Sequence, residues 1–479
     1  MGSGQVTSSG PEDFQGKHIT VAGLGVSGVP AAKVLHARGA IVTVVNDGDD
    51  ARAREQAAEL EELGVTVRLG DGATLPEGTE LVVTAPGWQP DKPLFEAARA
   101  AGVEIWGDVE LAWRLRGPDA PPWLAVTGTN GKTTTVQMLA SILKAAGLRT
   151  AAVGNIGVSV LDAVLGEEQY DVLAVELSSY QLHWAPSLRA HSAAVLNLAP
   201  DHLDWHGSME AYAADKGRIY EGNRVACVYN VADKATEDLV READVEEGCR
   251  AIGFTLGTPG PSQLGVVEGI LVDRAFVENR HKNAQELAEV SDVTPPAPHN
   301  IANALAAAAL ARAYGVPAKA VRDGLRAFTP DAHRIAHVAD VAGVSYIDDS
   351  KATNTHAAEA SLAAYESIVW IAGGLAKGAT FDELVAKSAK RLRGVVLIGA
   401  DRALIREALA RHAPQVPVVD LDRTDTGAML AAVREAQRLA TEGDTVLLAP
   451  ACASMDMFAN YNKRGDAFAE AVRELAADA

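Results

Sequence analysis

From Lys17 onward, short apolar runs alternate with stretches of helical periodicity. His18–Leu24 is nearly continuous in apolar residues, the pattern of a strand buried on both faces, and it runs into Gly23-Leu24-Gly25-Val26-Ser27-Gly28. A helix is predicted through Ala31–Arg38, a strand over Ile41–Val45, a helix over Ala51–Leu63 and a strand over Leu81–Thr84 that ends in Ala85-Pro86-Gly87. Strands joined by glycine-stopped helices predict a parallel sheet covered by helices. A proline-rich break, Gly117-Pro118-Asp119-Ala120-Pro121-Pro122, follows a helix over Asp108–Arg114 that suits either side of it.

A second block opens with the strand Trp123–Thr127 and a helix ending near Ala146, with later strands at Val172–Val175 and Ala193–Leu198. Between Val225 and Phe276 the runs shorten and turns multiply, which predicts a small antiparallel excursion before the alanine-rich helix Asn300–Tyr314. In a third block, Val344–Ile347, Ile368–Ala372, Val395–Ile398, Val416–Val419 and Thr445–Leu448 are strands separated by helical segments, a second doubly wound sheet of five strands. The fold class is therefore α/β, three domains in series.

Composition narrows the class without naming a function. The 479 residues suit two to four domains at about 150 per domain, and 48% hydrophobic with 22% charged residues is globular. A net charge of −20 argues against affinity for nucleic acid or an anionic membrane surface. Three cysteines without a CxxC pair exclude a disulfide framework and a structural zinc site, and fit a reducing, cytoplasmic setting. No apolar run approaches the ~20 residues of a membrane span. The stretch 1–16 lacks the apolar core of a secretion signal and reads as a short disordered leader.

Chemistry gathers at the ends of the predicted strands. Gly23-x-Gly25-x-x-Gly28, between strand and helix, has the context of a diphosphate-binding turn, and Asp47 lies nineteen residues beyond Gly28, in reach of a ribose. The motif does not separate NAD from other nucleotide diphosphates, and a ligand-free turn is its alternative. Gly128-Thr129-Asn130-Gly131-Lys132-Thr133-Thr134 can cradle polyphosphate on backbone N–H groups, with Lys132 facing phosphate oxygens and Thr133 facing Mg²⁺. It departs from the usual phosphate loop in having Val126 where the first glycine is expected. Glu176, Asp201-His202-Leu203-Asp204-Trp205-His206 and Lys216 follow further strands; alone each is unremarkable, and together they favour a hard magnesium ion over zinc. Asp349-Ser350-Lys351-Ala352-Thr353-Asn354, Lys377 and Ser454 place cations and hydroxyls on one edge of the third sheet, a site for a small anion.

These runs, with His299-Asn300-x-x-Asn303, resemble those of the Mur ligases and their folylpolyglutamate synthetase relatives. Gly154-Asn155-Ile156-Gly157, Glu176-Leu177-Ser178-Ser179-Tyr180-Gln181-Leu182, Asp348 to Asn354 and Pro450-Ala451-Cys452-Ala453-Ser454 are similar to the family branch that adds D-glutamate, while the Asp-Asn-Pro-Arg run of the diaminopimelate- or lysine-adding branch is absent. The resemblance covers nearly the whole chain from Lys17. It implies a Rossmann-like domain for the UDP substrate over 1–107, a P-loop-type ATPase domain over 108–331, and a Rossmann-like domain over 332–479 that binds the incoming amino acid and closes on ATP. It implies a monomeric, cytoplasmic enzyme of cell-wall synthesis that uses ATP and two Mg²⁺ ions to join UDP-MurNAc-L-Ala to D-glutamate through an acyl phosphate.

The site residues follow from the same resemblance. Lys132, Asn155, Glu176, His202 and Lys216 would be catalytic. Thr133, Glu176, His202 and a carbamylated Lys216 would surround magnesium. Gly128 to Thr134, Asn300, Asn303, Arg334, Asp349 and Lys351 would hold ATP. Gly25, Val26, Ser27, Asn46, Asp47, Pro86, Gly87, Asn155 and Gln181 would hold the UDP substrate. Lys351, Thr353, Lys377, Ser454 and Tyr461 would receive the amino acid or phosphate. Four positions depart from the family pattern: Leu375 stands in place of an acid, Tyr461 of a Phe, and Asn46-Asp47 of an Asp-Thr type contact.

Overall fold

The computed structural model describes residues 13–423, 425 and 427–478. The chain divides into two compact units, one of residues 13–293 with Ile301–Phe328, the other of Thr294–Asn300 with residues 329–478.

The first unit holds two sheets. The first is built from β1 (His18–Ala22), β2 (Ile41–Asn46), β3 (Thr66–Leu69), β4 (Leu81–Thr84) and β5 (Glu104–Gly107), all parallel in the order β3-β2-β1-β4-β5. That order reverses direction between β1 and β4, so a crevice opens at their carboxyl ends. The glycine-rich turn after β1 and Ala85-Pro86-Gly87 after β4 flank that crevice. β3 and β5 were hidden in sequence because their burial is partial and their runs are only four residues long.

The second sheet has nine strands: β6 (Trp123–Thr127), β7 (Ala152–Gly154), β8 (Leu173–Glu176), β9 (Ser192–Val195), β10 (Ala226–Asn230), β11 (Arg250–Phe254), β12 (Gln263–Val267), β13 (Ile270–Asp273) and β14 (Gln285–Glu289). Their order is β14-β13-β12-β11-β10-β9-β6-β8-β7. The predicted antiparallel excursion is corrected in part: β10, β11 and β12 continue the parallel sheet, with a helix over Lys234–Glu242 between β10 and β11, and only the β12–β13 and β13–β14 pairs are antiparallel. Hydrophobic strands with short connections look alike in sequence whichever way they pair.

The helix Asp108–Leu115 sits between these two sheets. Trp113 meets Trp123 of β6 edge-on at 5.0 Å, and the buried Glu110 accepts from the Ser187 backbone N–H at 3.0 Å. One hydrophobic cluster accordingly runs from Ile19, Val42 and Leu81 through Leu111 to Trp123, Val175 and Val195. Phe14 belongs to that cluster at 1% exposure, and Gly16 N–H donates to the Gly39 carbonyl. The expected leader over 1–16 is thus corrected for residues 13–16, where an apolar ring inside a polar stretch docks; residues 1–12 lie outside the described residues.

The second unit carries β15 (Ala336–Val341), β16 (Val344–Asp348), β17 (Ile368–Gly373), β18 (Leu392–Ile398), β19 (Val418–Asp420) and β20 (Thr445–Leu448) in the order β15-β16-β20-β17-β18-β19. Five are parallel, as expected, and β15 adds an antiparallel edge. Among the described residues no helix is long and apolar enough to cross a membrane. The three cysteines are free, although Cys227 of β10 and Cys249, just before β11, bring their sulfurs within 3.9 Å.

The alanine-rich helix Pro298–Ala313 is anchored through a buried charge. Arg312 Nε meets the fully buried Asp273 at 2.9 Å, while its other nitrogens donate to the carbonyls of Val316 and Phe276. Removing one member strands the other in the core. Arg312→Met is expected to lower unfolding free energy by about 3–5 kcal/mol in urea titrations, and Asp273→Asn in the same chain to recover part of that loss.

Candidate active site

The centre of the nine-stranded sheet fixes the phosphate loop. β6 ends at Thr127, whose hydroxyl donates to the Leu177 carbonyl beyond β8 at 2.7 Å. The chain then turns through Gly128 (φ +149°) and Gly131 (φ +85°) into the helix Lys132–Ala145. A side chain at Gly131 would sit 2.4 Å from Asn303 Oδ1, so the turn needs glycine for conformation and for space. Asn197, after β9, holds the loop at both polar groups of Asn130: its Oδ1 accepts from the backbone N–H at 2.9 Å and its Nδ2 donates to the carbonyl at 3.0 Å. Lys132 Nζ folds over the loop and donates to the carbonyls of Gly128 and Thr129, each at 2.9 Å. Thr133 and Thr134 are buried in the first helical turn, where unpaired N–H groups and the helix dipole favour an anion.

Beneath this loop lies Lys216, on the helix Met209–Gly217 and only 2% exposed. Its Nζ donates to the Gly128 carbonyl at 2.9 Å and to Thr127 Oγ1 at 3.3 Å. Burial, reinforced by the charge of Lys132, holds its basicity well below that of an ordinary lysine, against the opposing pull of Asp201, Glu176 and Asp215. Beside it Glu176 closes β8 at 2% exposure. Glu176 Oε1 accepts from Asn155 Nδ2 at 3.0 Å, whereas its Oε2 is buried with no hydrogen-bond partner among the described residues. An orphaned carboxylate oxygen is costly unless a cation completes it. Oxygen donors from Glu176 and Thr133 match a hard divalent ion such as Mg²⁺, which keeps few protein ligands and takes the rest from water and phosphate. Consistent with so sparse a donor set, no group of three or more His, Cys, Asp or Glu able to hold a metal ion forms among the described residues.

His202 caps the short helix Leu203–His206 in a left-handed conformation (φ 54°). Its ring lies 4.9 Å from that of Tyr180 and its Nε2 is 3.4 Å from Asp201. Burial lowers its basicity, with Lys132 and Lys216 adding to the effect and Asp201 and Asp204 opposing it. Sequence reading grouped His206 with His202 in a candidate metal-binding run and gave no role to His183, Asp215 or Arg218. His206, with no exposed side-chain surface, bridges Ser179 Oγ at 2.9 Å and Asp215 Oδ2 at 3.0 Å. Asp215 also accepts from His183 Nδ1 at 2.9 Å and pairs with Arg218 at 3.2 Å. Burial alone would raise that carboxyl; the hydrogen bonds of His183 and His206 and the Arg218 charge bring it down to about 2. The available signal was the four-residue spacing of His202 and His206, together with Asp215 directly before Lys216.

The crevice of the first sheet holds the expected UDP residues. Gly23 and Gly25 both take positive φ, and Val26 at the tip of the turn is 81% exposed. Ser27 Oγ donates to Asp108 at 2.9 Å, and Gln181, 4% exposed, spends its Oε1 on the N–H and hydroxyl of Ser178 in a capping box. Asn46 Oδ1 accepts from the Leu24 N–H at 3.1 Å, so it fastens the turn, and Asp47 pairs with Lys92 at 2.5 Å. After Pro86, the Gly87 carbonyl accepts from Trp205 Nε1 at 3.3 Å, which ties this crevice to the His202 segment.

In the second unit, the carboxyl edge of the sheet gathers the remaining residues. Lys351 lies over the Tyr461 ring with Nζ 4.0 Å from its centroid. Lys377 (φ 49°) is exposed after Gly373-Gly374, and Ser454 is buried after β20. The buried Arg464 ties two of these loops together, donating to Ser350 Oγ and carbonyl and to the Cys452 carbonyl at 2.8–3.0 Å. Arg334 is half-buried and adds positive charge near Asp349. Asn300 Nδ2 donates to the Pro295 carbonyl at 3.3 Å, and Thr353 N–H to the Lys351 carbonyl.

Models of known families match most of the chain: "Mur ligase MurD-like, N-terminal domain" over residues 17–107, "Mur ligase middle domain" over 126–311 and "Mur ligase, glutamate ligase domain" over 333–452. A UDP-N-acetylmuramoylalanine–D-glutamate ligase of Streptomyces avermitilis is 89% identical over 97% of this chain and 100% of its own. Among solved structures, the UDP-N-acetylmuramate-alanine ligase MurC of Thermotoga maritima is similar in fold, with a TM-score of 0.55 at 19% identity over 96% of this chain and 99% of that one. So is FolC of E. coli in complex with ADP, with a TM-score of 0.54 at 20% identity over 81% of this chain and 99% of that one.

The buried carboxyl of Asp349 generates a pH prediction. Burial, with Asp348 adding, pushes it up to about 6 against the hydrogen bonds of Ser361 and the Ile335 N–H and the charge of Arg334. The folded chain therefore keeps a proton there that the unfolded chain releases near its ordinary value of 3.8. Stability from this group falls as pH rises from about 4 to about 6. The unfolding free energy of Asp349→Asn, relative to wild type, is expected to rise by about 3 kcal/mol across that window, read from urea titrations at a series of pH values.

Proposed function

The chain belongs to the Mur ligase family, and we infer that it is the ATP-dependent ligase joining D-glutamate to UDP-N-acetylmuramoyl-L-alanine in peptidoglycan synthesis. The observation that carries this reading is the 89% identity, over 97% of the chain, to a ligase named for that reaction. The reaction proceeds by transfer of the γ-phosphoryl group to the substrate carboxylate. The D-glutamate amine then attacks the acyl phosphate and inorganic phosphate leaves.

The residues of this chain supply positioning and charge for both steps. The phosphate loop presents the N–H groups of the first turn of the helix Lys132–Ala145 to the nucleotide, and Lys132 would leave its two carbonyl partners for phosphate oxygens. Magnesium, when bound, neutralises the phosphates so that a carboxylate can approach them. Glu176, through its orphaned Oε2, and Thr133 are the residues that would hold it, with His202 and a modified Lys216 facing it. The burial that disfavours charge on Lys216 supports its carbamylation: the amine nitrogen bonds to the carbon of CO₂, loses a proton and becomes a carboxylate-like ligand. Asn155 would face the reacting carboxylate from its place against Glu176. The turn after β1, with Gly25, Val26 and Ser27, together with Asn46, Asp47, Pro86, Gly87 and Gln181, would receive the UDP portion. Lys351, Thr353, Lys377, Ser454 and Tyr461 would receive D-glutamate or phosphate, and Asn300, Asn303, Arg334 and Asp349 the nucleotide. The location is read as cytoplasmic, where ATP and nucleotide-linked precursors are available.

Phosphate release from ATP and UDP-N-acetylmuramoyl-L-alanine tests the reading. It should require D-glutamate and fail with L-glutamate or diaminopimelate; release with diaminopimelate alone would sink it. In the same assay Lys216→Ala should lose activity by at least ~10²-fold and regain part of it with bicarbonate or a short carboxylic acid. Full activity of Lys216→Ala without them would refute the role given to this lysine.

A further inference from the structure

His206 lies outside the residues expected to touch substrate, yet both its nitrogens are used and none of its side chain is exposed. Nε2 meets the hydroxyl of Ser179, three residues beyond Glu176, at 2.9 Å. Nδ1 meets Asp215, the neighbour of Lys216, at 3.0 Å. A carboxylate only accepts, so the Nδ1 positions of His206 and of His183 (2.9 Å) carry the hydrogens they give to Asp215. Arg218 fixes the other side of the same carboxylate at 3.2 Å. Tyr180 adds a third connection: its ring lies parallel to that of His206 at 5.6 Å and within 4.9 Å of His202.

One buried imidazole therefore joins the segment after β8, which carries Glu176, to the helix that carries Lys216, and through Tyr180 it supports His202. We propose that His206 and Asp215 act as a positioning pair that sets the separation of Glu176 and Lys216, and with it the affinity of the site for a divalent cation. The proposal rests on the preceding assignment of Glu176 and Lys216 to the magnesium side of the site. Its physical basis is the narrow geometry that Mg²⁺ demands: when two ligands stand on separate elements, small changes in their spacing cost affinity. Partners that orient metal ligands through hydrogen bonds change affinity by about 10–100-fold when removed. Aromatic contacts alone would hold the rings together but would not set their azimuth; the two hydrogen bonds of His206 do.

The test uses Mn²⁺ as probe, titrated into the full-length protein with ATP and read by electron paramagnetic resonance. His206→Asn keeps a donor toward Asp215 and loses the link to Ser179; Asp215→Asn removes the shared charge. Each should weaken Mn²⁺ by about tenfold and raise the Mg²⁺ concentration for half-maximal phosphate release by the same factor, with the KM of ATP at saturating Mg²⁺ unchanged. Because the two residues act as one device, the double variant should be no weaker than the worse single one. Unchanged Mn²⁺ affinity in folded variants, or losses that multiply in the double variant, would overturn the proposal. Should His206→Asn fail to fold by circular dichroism, Ser179→Ala, which deletes one hydroxyl, is read in the same titration; a loss of Mn²⁺ affinity supports the link and wild-type affinity overturns it. Mn²⁺ binding is read without the amino acid, so failure of D-glutamate as a substrate would overturn the functional assignment and leave the positioning role to stand on its own titration.

Discussion

The hydrogen bonds that Lys216 makes beneath the phosphate loop are the constraint on which the rest of the site depends. A primary amine at 2% exposure must place its donors on protein oxygens. The available ones are the Gly128 carbonyl and Thr127 Oγ1, so the end of β6, the start of the loop and the helix Met209–Gly217 are fixed to one another. The same burial makes the amine reluctant to carry charge, while Lys132, whose Nζ donates to the same Gly128 carbonyl, opposes a second cation. Beside it, Glu176 has one oxygen held by Asn155 and the other without a hydrogen-bond partner among the described residues. The site is an arrangement of incomplete electrostatics, in which, on the proposed reading, substrate phosphate and metal would supply the missing terms.

The strands at the centre of each sheet were the legible part of the fold. β4, β6 and β20 coincide with their apolar runs, because a strand buried on both faces admits almost nothing else. Edges were less legible: β3, β5, β7 and β15 are only partly buried, and their sequences carry no periodicity that separates them from loops. The glycine-rich turns stood out because their conformations admit few other residues, as Gly131 against Asn303 illustrates. The residues that hold the site together did not stand out. His206 and Asp215 are distant from Ser179 in sequence, and Arg464 is more than a hundred residues from the Ser350 it secures. A side chain whose role is to satisfy another side chain leaves no local pattern.

The negative balance of the chain takes on a different meaning beside these sites. At −20 the surface as a whole repels nucleotides and glutamate alike. On the proposed reading, binding would then come from fixed short-range donors: helix N–H groups at Lys132–Thr134, and cations held near the loops, such as Lys132 and Lys351. Such contacts act over a few ångströms and are weakly felt at a distance. Anions that lack the matching shape gain nothing from the surrounding surface, so the net charge works as a filter against other polyanions.

The shared core between the first two sheets carries a last consequence, for how this chain can be divided. Family boundaries place a break at residue 107, but the helix that begins at Asp108 supplies Val109, Leu111, Ala112 and Trp113 to a cluster that belongs equally to Ile19 and Trp123. A fragment cut at that break would carry the crevice of the first sheet yet lack the apolar face that covers one side of that sheet. Recombination between relatives at this point would have to exchange the helix and its receiving surface together. The first sheet is in that sense a tenant of the second: separable by homology, inseparable by packing.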